Sequence, residues 1–265
     1  MPIQVTIHGA AGRMGQRLIA VGAHDPEVEL VGAVDAAGSP HAGSDAGELA
    51  GVGRLGLPIG SQWPAACDAV IDFSVPKASD ALIEACVERR WPLVFATTGL
   101  SEEQTNRITA AAGEIPIVKA ASMSTTVNLT MKLTEIAART LKDHATGVDV
   151  EVIERHHRFK EDAPSGTALV FGKIIADAMG AATETHGRSG RPGARPRGEI
   201  GYHAVRAGDN PGEHTIVFGL LGETIELKVA ASNRDCYASG AYAAAKWLQG
   251  KPAGLYDMQD VLGLK

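Results

Sequence analysis

The sequence predicts two domains: an α/β domain with a doubly wound parallel sheet, then an α+β domain with a mainly antiparallel sheet. Over the first 120 residues, short and almost wholly apolar β-branched runs alternate with helical patterns. Strands of this kind are buried on both faces, as in a parallel sheet covered by helices. Beyond residue 127, successive strand patterns are separated only by Gly-containing turns, which favours antiparallel pairing.

The first domain is expected to contain five strands that alternate with helices. The strands are predicted at 3–7, 29–35, 68–74, 92–99 and 115–120, and the helices at 13–23, from Pro76 and from Ser101. This alternation lets each helix cross the sheet and return the chain for a further parallel strand.

The second domain is expected to begin with a helix at 127–143 and a strand at 148–156. The strand alternates apolar and acidic residues, which suits a sheet with one solvated face. The elements that follow are a helix at 165–179, a Gly-, Pro- and Arg-rich loop at 187–198, strands at 199–208, 214–220 and 223–231, and a last helix at 236–248. The four arginines of the loop either cover a pocket or make subunit contacts, and we favour the latter slightly.

Length and composition exclude several classes of protein. The 265 residues suffice for two modest domains, which we place at 1–126 and 127–236, with 237–265 packing back on the first. A net charge of −6 argues against a nucleic-acid partner. The three cysteines, Cys67, Cys86 and Cys236, are widely spaced and favour a reducing compartment. Neither a signal-peptide pattern nor an apolar run near ~20 residues is present, so we expect a cytoplasmic protein without a membrane partner.

A glycine-rich turn links the first strand to the first helix. Gly9, Gly12 and Gly15 are spaced G-x-x-G-x-x-G, with Ala11 where the dinucleotide-binding pattern has its second glycine. Such a turn lets the backbone approach a pyrophosphate at the helix N-terminus. Asp35 ends the second strand, where an acid can bind the ribose hydroxyls. A tight turn alone would explain the glycines, but strand, helix and acid together favour a Rossmann-like dinucleotide domain.

A second turn, ATTG at 96–99, follows the fourth predicted strand. It lies at the edge of the sheet where ligands bind, and its small hydroxyl residues can approach a nicotinamide ribose. An ordinary strand-end turn has the same pattern, and the motif alone does not decide between the two.

The most unusual stretch is EVIERHHRFKEDAPSGT at 151–167, in which charge and imidazole directly follow a strand. His156 and His157 are neighbours on an extended chain, so they point to opposite faces and cannot easily chelate one metal. Ser165 lies in P-S-G-T rather than G-x-S-x-G, which argues against serine hydrolysis. A histidine exchanges a proton near neutral pH, and Lys160 can donate one or bind a carboxylate.

The end of this stretch begins a helix. Ser165, Gly166 and Thr167 precede ALVFGKIIADAM, and the amides and hydroxyls of a helix N-terminus bind anions. With His156 and Lys160, they indicate a pocket for a small acid with a proton donor beside it. A capped helix after a solvated strand is the alternative that the local sequence leaves open.

Three motifs, GAAGRMG, ATTG and above all ERHHRFKEDAPSGT, resemble those of the 4-hydroxy-tetrahydrodipicolinate reductase (dihydrodipicolinate reductase) family. The resemblance runs from residue 3 to GLYDMQDVLGL and includes GSDAGELAG at 43–51. The string H-H-R-x-K-x-D-A-P-S-G-T is highly specific. Members of this family belong to the diaminopimelate–lysine biosynthetic pathway.

The resemblance assigns roles to residues of both domains. It implies His156 as the acid/base residue, Lys160 as the proton donor, and substrate contacts from His157, Gly166 and Thr167, to which the helix start adds Ser165. It implies cofactor contacts from Gly9, Ala10, Ala11, Gly12, Arg13, Met14, Asp35, Ala96, Thr97, Thr98, Gly99, Ala120, Ala121, Ser122 and Met123. This chain departs from the family in two places. It has Ser122 and Met123 where the family often has Asn and Phe, and Ala36 where the family often has Arg.

The implied reaction reduces an unsaturated six-membered ring that carries two carboxylates, with loss of water and gain of a proton. A reduced nicotinamide supplies the hydride, so no metal is needed. Family members are typically homotetramers built through the sheet of the second domain. Because Asp35 suits ribose hydroxyls and Ala36 brings no cation, we expect NADH to be preferred and NADPH accepted, with Arg13 and Arg17 as the only obvious cations nearby.

Two other functions stay open: another two-domain NAD(P)-dependent dehydrogenase, and a non-catalytic nucleotide-sensing protein. A semialdehyde dehydrogenase needs a nucleophilic cysteine, and Cys236, at a helix start, has no obvious base. A sensor would be expected to lose the proton donors, whereas this chain keeps His156 and Lys160.

Overall fold

The computed structural model describes residues 1–180 and 183–265, which divide into two compact units. The first unit is Met1–Thr125 with Arg234–Lys265, and the second is Thr126–Asn233. Each unit contains its own sheet and its own apolar core. Among the described residues, no helix combines the length and the apolar composition that crossing a bilayer requires.

The first unit contains seven strands and six helices, numbered here along the whole chain. The strands are β1 (Ile3–His8), β2 (Val28–Val34), β3 (Ile59–Gly60), β4 (Ala69–Asp72), β5 (Leu93–Phe95), β6 (Pro116–Lys119) and β12 (Gly254–Tyr256). The helices are α1 (Arg13–Gly22), α2 (Ala46–Ala50), α3 (Ser79–Arg89), α4 (Glu102–Ala111), α7 (Asp235–Trp247) and α8 (Met258–Val261), with a 3₁₀ turn at Pro76–Ala78. The predicted elements are present, whereas α2, β3, α8 and β12 are too short to leave a periodic pattern.

All seven strands run parallel, in the order β12-β6-β5-β4-β1-β2-β3. The chain builds outward from β1 through β2 to β3, and on the other side from β4 through β5 to β6. This order confirms the doubly wound parallel sheet. Ligands bind such a sheet at the carboxyl ends of the strands, where the winding direction switches. Here that point lies between His8, the last residue of β1, and Asp72, the last of β4.

The C-terminal segment is part of the first unit. Tyr242 of α7 is 2% exposed and donates a hydrogen bond to the Leu18 carbonyl of α1 at 2.7 Å. Gly22 permits this approach, because a Cβ there would lie 2.2 Å from the Tyr242 hydroxyl oxygen. β12 extends the parallel sheet beyond β6.

The segment GSDAGELAG is ordered by a single carboxylate. Asp45 accepts hydrogen bonds from five backbone amides, two in the first turn of α2 and three at 55–57. The carboxylate therefore joins the short helix to the chain that returns toward β3.

In its described residues, the second unit contains two helices and a mixed sheet. Its elements are α5 (Thr125–Leu141), β7 (Asp149–His156), α6 (Gly166–Met179), β8 (Thr183–His186), β9 (Glu199–Arg206), β10 (Glu213–Leu220) and β11 (Glu223–Ala230), with strand order β11-β10-β7-β9-β8. β10 runs antiparallel to both neighbours, whereas β7, β9 and β8 are parallel. The predicted α+β class is confirmed. The sheet is mixed because α6 crosses over after β7 and returns the chain in the same direction.

Two arginines of the 187–198 loop fold back on the sheet. Arg195 lies 3.1 Å from Glu151 and 2.8 Å from Asp149, and Arg188 contacts both Glu151, at 2.9 Å, and Glu199. Neither alternative drawn from the sequence included this intrachain role. The local composition indicated a loop, but the acidic partners lie on β7 and at the start of β9.

Candidate functional sites

A cleft of about 690 Å³ lies in the first unit, lined by residues at the carboxyl ends of β1, β2 and β4. The glycine turn, Asp35 and the segment after β4 contribute to its walls, and Trp63 and His41 complete them. It therefore occupies the switch point at which a doubly wound sheet binds its ligand.

The glycine turn has the shape that a dinucleotide requires. Gly9 has φ +80°, and a Cβ there would lie 3.0 Å from the Ser74 Cα. A Cβ on Gly15 would lie 2.2 Å from the Gly9 carbonyl oxygen, so only glycine lets α1 pack against the turn. Helix α1 begins after Gly12 without a side-chain cap. Its first amides are thus suited to a phosphate.

Asp35 joins the end of β2 to the glycine turn. Its carboxylate accepts hydrogen bonds from the Ala11 and Ala36 amides, each at 2.8 Å. A carboxylate offers about four acceptor positions, so two bonds leave capacity for the hydroxyls of a ribose. Ala11 is the residue that departs from the usual glycine pattern, and its amide serves this contact. The residues of the cleft therefore fit a dinucleotide.

The cations of the cleft differ from those expected. Arg13 lines it, but Arg17 forms two hydrogen bonds with Asp235 of α7, at 2.6 and 2.9 Å. His41 and Lys77 also line the cleft. Sequence reasoning missed both, because neither belongs to the glycine turn or to the two strands beside it.

A buried carboxylate connects the two predicted cofactor turns. Asp72 is fully buried; its Oδ1 lies 2.7 Å from His8 Nδ1, and its Oδ2 accepts a hydrogen bond from the Thr97 hydroxyl at 2.7 Å. The His8 ring stacks on Trp63 with centroids 5.5 Å apart. Asp72 thereby ties the end of β4 to the ends of β1 and β5. Sequence reasoning did not single out Asp72. The signal that could have revealed it is an acidic residue at the end of the otherwise apolar strand AVID.

The other residues predicted to contact the cofactor lie outside the lining of this cleft. Thr97 is buried against Asp72, and Thr98 and Gly99 are exposed. Ala10 and Met123 are fully buried in the core, so their side chains serve packing. All the cofactor contacts assigned from the family resemblance stay predictions, among them those of Ala96, Thr98, Gly99, Ala120, Ala121 and Ser122.

A second cluster lies in the second unit, where β7 ends and α6 begins. His156 is 8% exposed and Glu154 1%, and His156 Nδ1 lies 2.6 Å from Glu154 Oε2. Both oxygens of Glu154 also bind Arg206, at 2.7 and 2.8 Å, and Oε1 accepts the Ser165 amide. Burial raises the pKa of Glu154, but its bonds to Arg206 and His156 prevail and the pKa is lowered. The carboxylate is therefore ionised.

Both imidazoles of the cluster are neutral at neutral pH. Burial lowers the pKa of His156; Glu154 opposes this shift, and the charges of Lys160 and Arg206 add to it. The ring of His214 lies edge-on to that of His156, with centroids 5.3 Å apart. Burial and the neighbouring His156 lower the pKa of His214 to about 4.

Asp162 lies beside Lys160 and the start of α6. Lys160 Nζ lies 2.8 Å from Asp162 Oδ1. Burial raises the pKa of Asp162, but the bond to Lys160 and the nearby Gly166 amide prevail and lower it. Nδ1 of His157 is buried and has no hydrogen-bond partner. Gly166 is exposed, with open space where a Cβ would stand, and Thr167 is half-buried beside it. The groups predicted to bind substrate thus all lie in the segment from the end of β7 to the first turn of α6.

Ser165 has partners within the protein for both of its polar groups. It is 2% exposed, its amide donates to Glu154, and its hydroxyl oxygen lies 3.1 Å from His214 Nε2 and accepts the Ala168 amide. The hydroxyl therefore caps α6, as an N-cap serine does. Its contact with substrate stays a prediction.

Sequence reasoning missed Glu154, Arg206 and His214 as parts of this site. Arg206 is separated from Glu154 by 52 positions, and His214 from Ser165 by 49. No local motif links residues so far apart. Across residues 1–180 and 183–265, no grouping of three or more His, Cys, Asp or Glu side chains is suited to a metal ion.

Comparison with known proteins covers both units. Residues 3–123 match the family model described as dihydrodipicolinate reductase, N-terminus, and residues 126–262 match its C-terminus counterpart. The chain is 60% identical over 271 residues to the 4-hydroxy-tetrahydrodipicolinate reductase of Rhodopirellula baltica, covering 99% of this chain and 97% of the relative. It is 52% identical to that of Alkalilimnicola ehrlichii, covering all of both chains.

Solved structures of other proteins superpose on nearly all of this chain. The dipicolinate-bound dihydrodipicolinate reductase from Paenisporosarcina sp. TG-14 superposes with a TM-score of 0.75 at 24% identity, covering 98% of this chain and 99% of that one. A probable dehydrogenase from Thermotoga maritima superposes with a TM-score of 0.63 at 10% identity, covering 98% and 92%. At these identities the similarity concerns the fold.

Proposed function

Because this chain belongs to the dihydrodipicolinate reductase family, we propose that it reduces 4-hydroxy-tetrahydrodipicolinate to tetrahydrodipicolinate in diaminopimelate and lysine biosynthesis. Enzymes of this family are NAD(P)H-dependent oxidoreductases. The observation that carries the proposal is the cluster around His156 and Lys160, in which a buried imidazole, an ammonium and an amide-bearing helix start occur together.

The first unit supplies the residues that would hold the cofactor. When bound, NAD(P)H supplies the hydride. The uncapped start of α1 would bind the pyrophosphate, and Asp35 would accept the ribose hydroxyls. We propose a preference for NADH because the exposed neighbour of Asp35 is Ala36, which brings no charge to offset that of a 2′-phosphate.

The second unit supplies the groups that would bind a dicarboxylate. Lys160 already binds a carboxylate, that of Asp162, and the nearby Gly166 amide favours the ionised form of that carboxylate, so both groups suit a carboxylate of the substrate. The unpartnered Nδ1 of His157 and the Thr167 hydroxyl would add contacts. Lys160 would donate the proton that the reduction consumes, because His156 is neutral at neutral pH.

A direct assay tests the proposed function. The purified protein is mixed with NADH and 4-hydroxy-tetrahydrodipicolinate, and the absorbance of the reduced nicotinamide is followed. We expect oxidation of NADH that requires the substrate and is inhibited by pyridine-2,6-dicarboxylate. If NADH is consumed no faster than without substrate, the proposal is wrong.

The cysteines argue against a semialdehyde dehydrogenase. Burial raises the pKa of Cys67 to about 11 and also raises the pKa of Cys86 and Cys236. A reactive cysteine needs a thiolate stabilised by nearby positive charge or a base. All three thiols are instead held protonated, so this rival has no nucleophile.

We further propose that the protein is a homotetramer that assembles through the second unit. Helix α5 exposes an apolar stripe, with Leu129 and Leu133 each 42% exposed and Ile136 51%. β11 forms an edge of the five-stranded sheet and exposes Ile225 beside this stripe. An apolar face next to an open strand edge suits a second copy of the same surface.

Light scattering tests the assembly. Ile136→Lys should reduce the mass of the particle, whereas Leu255→Lys, on the exposed side of β12 in the first unit, should not. A wild-type particle with the mass of one chain would contradict the proposal.

A further inference from the structure

Glu154 receives hydrogen bonds from three different groups. They are Nδ1 of His156 at 2.6 Å, the amide of Ser165 at 3.0 Å, and two nitrogens of Arg206. The amide and the guanidinium can only donate, and the carboxylate that they hold ionised can only accept. The imidazole nitrogen that faces this carboxylate must therefore carry a proton. A neutral His156 is then protonated on Nδ1 and has its lone pair on Nε2.

The surroundings of Nε2 leave that nitrogen open. It forms no hydrogen bond within the described parts of the chain. Gly212 lies beside this nitrogen, and a Cβ on Gly212 would lie 3.0 Å from Nε2. Gly212 has φ +152°, so a larger residue is disfavoured there by its backbone as well. Glycine thus keeps space beside the lone pair.

From this geometry, and resting on the proposed function, we propose that Glu154 is a positioning residue of the reductase. It holds His156 with the proton on Nδ1, so that Nε2 accepts a hydrogen bond from the substrate. Through the Ser165 amide, the same carboxylate fixes the start of α6 beside the imidazole. Arg206 keeps Glu154 ionised and in place.

The charges around His156 agree with this assignment. Arg206 at the end of β9 and Lys160 in the loop after β7 are cations that disfavour a second proton on the ring. His214 of β10 is neutral, and Glu154 opposes the lowering of the pKa of His156. The proton on Nδ1 is therefore held by Glu154.

The chain offers a matched control on the opposite face of β7. Glu151 is also bound by a histidine and by arginines, with His203 Nε2 at 2.7 Å and Arg188 at 2.9 Å. Residues 151 and 154 differ by an odd number of positions, so their side chains leave the strand on opposite faces. Glu151→Gln removes a comparable ion network without touching His156.

The wild-type protein provides the first test, through the ¹⁵N spectrum of its histidines at neutral pH. His156, assigned by its absence in His156→Gln, should give the signature of a neutral ring with a proton on Nδ1. A ring protonated on Nε2, or on both nitrogens, would overturn the proposal. This measurement needs no substrate, so it stands or falls independently of the reductase activity.

Glu154→Gln provides the second test. Glutamine has one acceptor oxygen and one donor group, so it cannot accept bonds from His156, Ser165 and Arg206 together. We expect the Nε2-protonated form to appear and kcat to fall by at least about tenfold, and by no more than the roughly 10²–10⁴-fold that acid–base catalysis contributes. Because the carboxylate raises the pKa of His156 against burial, its removal should also move the acidic limb of the pH–rate profile to lower pH.

Glu151→Gln should show neither the tautomer change nor the shifted limb. The proposal fails if Glu154→Gln has the same kcat and the same acidic limb of the pH–rate profile as Glu151→Gln and the wild type. Circular dichroism checks that each variant is folded, and should Glu154→Gln not fold, the wild-type spectrum still decides. A wild type that reduces no substrate would refute the proposed function and leave the tautomer result in force.

Discussion

Nε2 of His214 lies 3.1 Å from the hydroxyl oxygen of Ser165, and this contact places a buried imidazole against the cap of α6. His214 is 5% exposed, and its ring also packs 5.8 Å from that of Phe171. Protonation of this ring would bury a positive charge; His156 and Lys160 also disfavour it, and they prevail with burial over the opposing charges of Glu154 and Glu213. The site therefore depends on His214 remaining neutral.

Acid should destabilise the protein through His214. Its pKa is about 4 in the folded chain and 6.5 ordinarily, so below pH 6.5 the unfolded chain binds a proton that the folded chain refuses. The stability contributed by a neutral His214 is complete above pH 6.5 and is lost as the pH falls toward 4. By linkage, this group accounts for a loss of about 2 kcal/mol between pH 7.5 and 5.

His214→Gln should remove that part of the pH dependence while keeping a side chain that can hydrogen-bond to the Ser165 hydroxyl. Urea unfolding at pH 7.5 and 5, at one protein concentration, measures the free energy of unfolding. The wild type should lose about 2 kcal/mol more than the variant. Equal losses would mean that His214 titrates alike in both states.

Lys160→Ala should abolish most turnover and spare the binding of NADH. The ammonium is the group proposed to donate the proton, a role worth about 10²–10⁴-fold in rate. The dinucleotide cleft is lined wholly by residues of the first unit. Turnover is measured by NADH oxidation and binding by fluorescence titration.

Lys173→Ala is the matched control for this change. Lys173 lies on α6, is largely exposed, and pairs with Asp177 at 2.8 Å. It should leave both quantities unchanged. Near-wild-type turnover in Lys160→Ala would show that Lys160 is only a partner of Asp162.

Thr167→Val should weaken inhibition by pyridine-2,6-dicarboxylate. Thr167 follows Gly166 in the first turn of α6, where its hydroxyl can donate to a carboxylate. One such bond to a charged group is worth about 1–2 kcal/mol, or roughly 5–30-fold in the inhibition constant. Thr109→Val, on α4 of the first unit, should have no effect. An unchanged inhibition constant in Thr167→Val would place the diacid elsewhere.

The parts of the site that the sequence predicted are those encoded within one turn or strand. The alternation of strands with helices, the turn around Gly9 and the stretch from His156 to Thr167 each lie within a short segment, where periodicity and local geometry act. Glu154 lies only two positions before His156, but its role depends on Arg206, 52 positions away. His8 meets Asp72 across 64 positions. Such pairs form only when strands become neighbours in a sheet, which local patterns do not determine.

The same limit applies to Arg17. The sequence shows Arg17 as a cation near the glycine turn, but it does not show that the guanidinium pairs with Asp235, 218 positions away. The parallel half of the second sheet was missed for a related reason. The strand patterns after residue 198 are consecutive, whereas the pairing of β7 with β9 depends on the α6 crossover.

The choice between NADH and NADPH should depend on the residues beside Asp35. Its carboxylate is fixed by the Ala11 and Ala36 amides, so a 2′-phosphate would meet a negative charge that cannot easily turn away. Ala36 is exposed at the cleft and uncharged, and Arg17 is bound to Asp235. We therefore expect wild-type kcat/KM to be higher with NADH, and NADPH to be accepted through Arg13, His41 or Lys77.

Ala36→Arg should shift the ratio of kcat/KM values toward NADPH. One added contact between a guanidinium and a phosphate, partly exposed, is worth about 1–2 kcal/mol, which corresponds to roughly tenfold. Ala37→Arg is the control, because Ala37 is equally exposed but does not line the cleft. A wild-type ratio that favours NADPH would contradict the argument from Asp35 and Ala36. In that case His41→Ala and Lys77→Ala would show which side chain binds the 2′-phosphate. The variant that lacks this side chain should have a lower kcat/KM for NADPH and an unchanged kcat/KM for NADH.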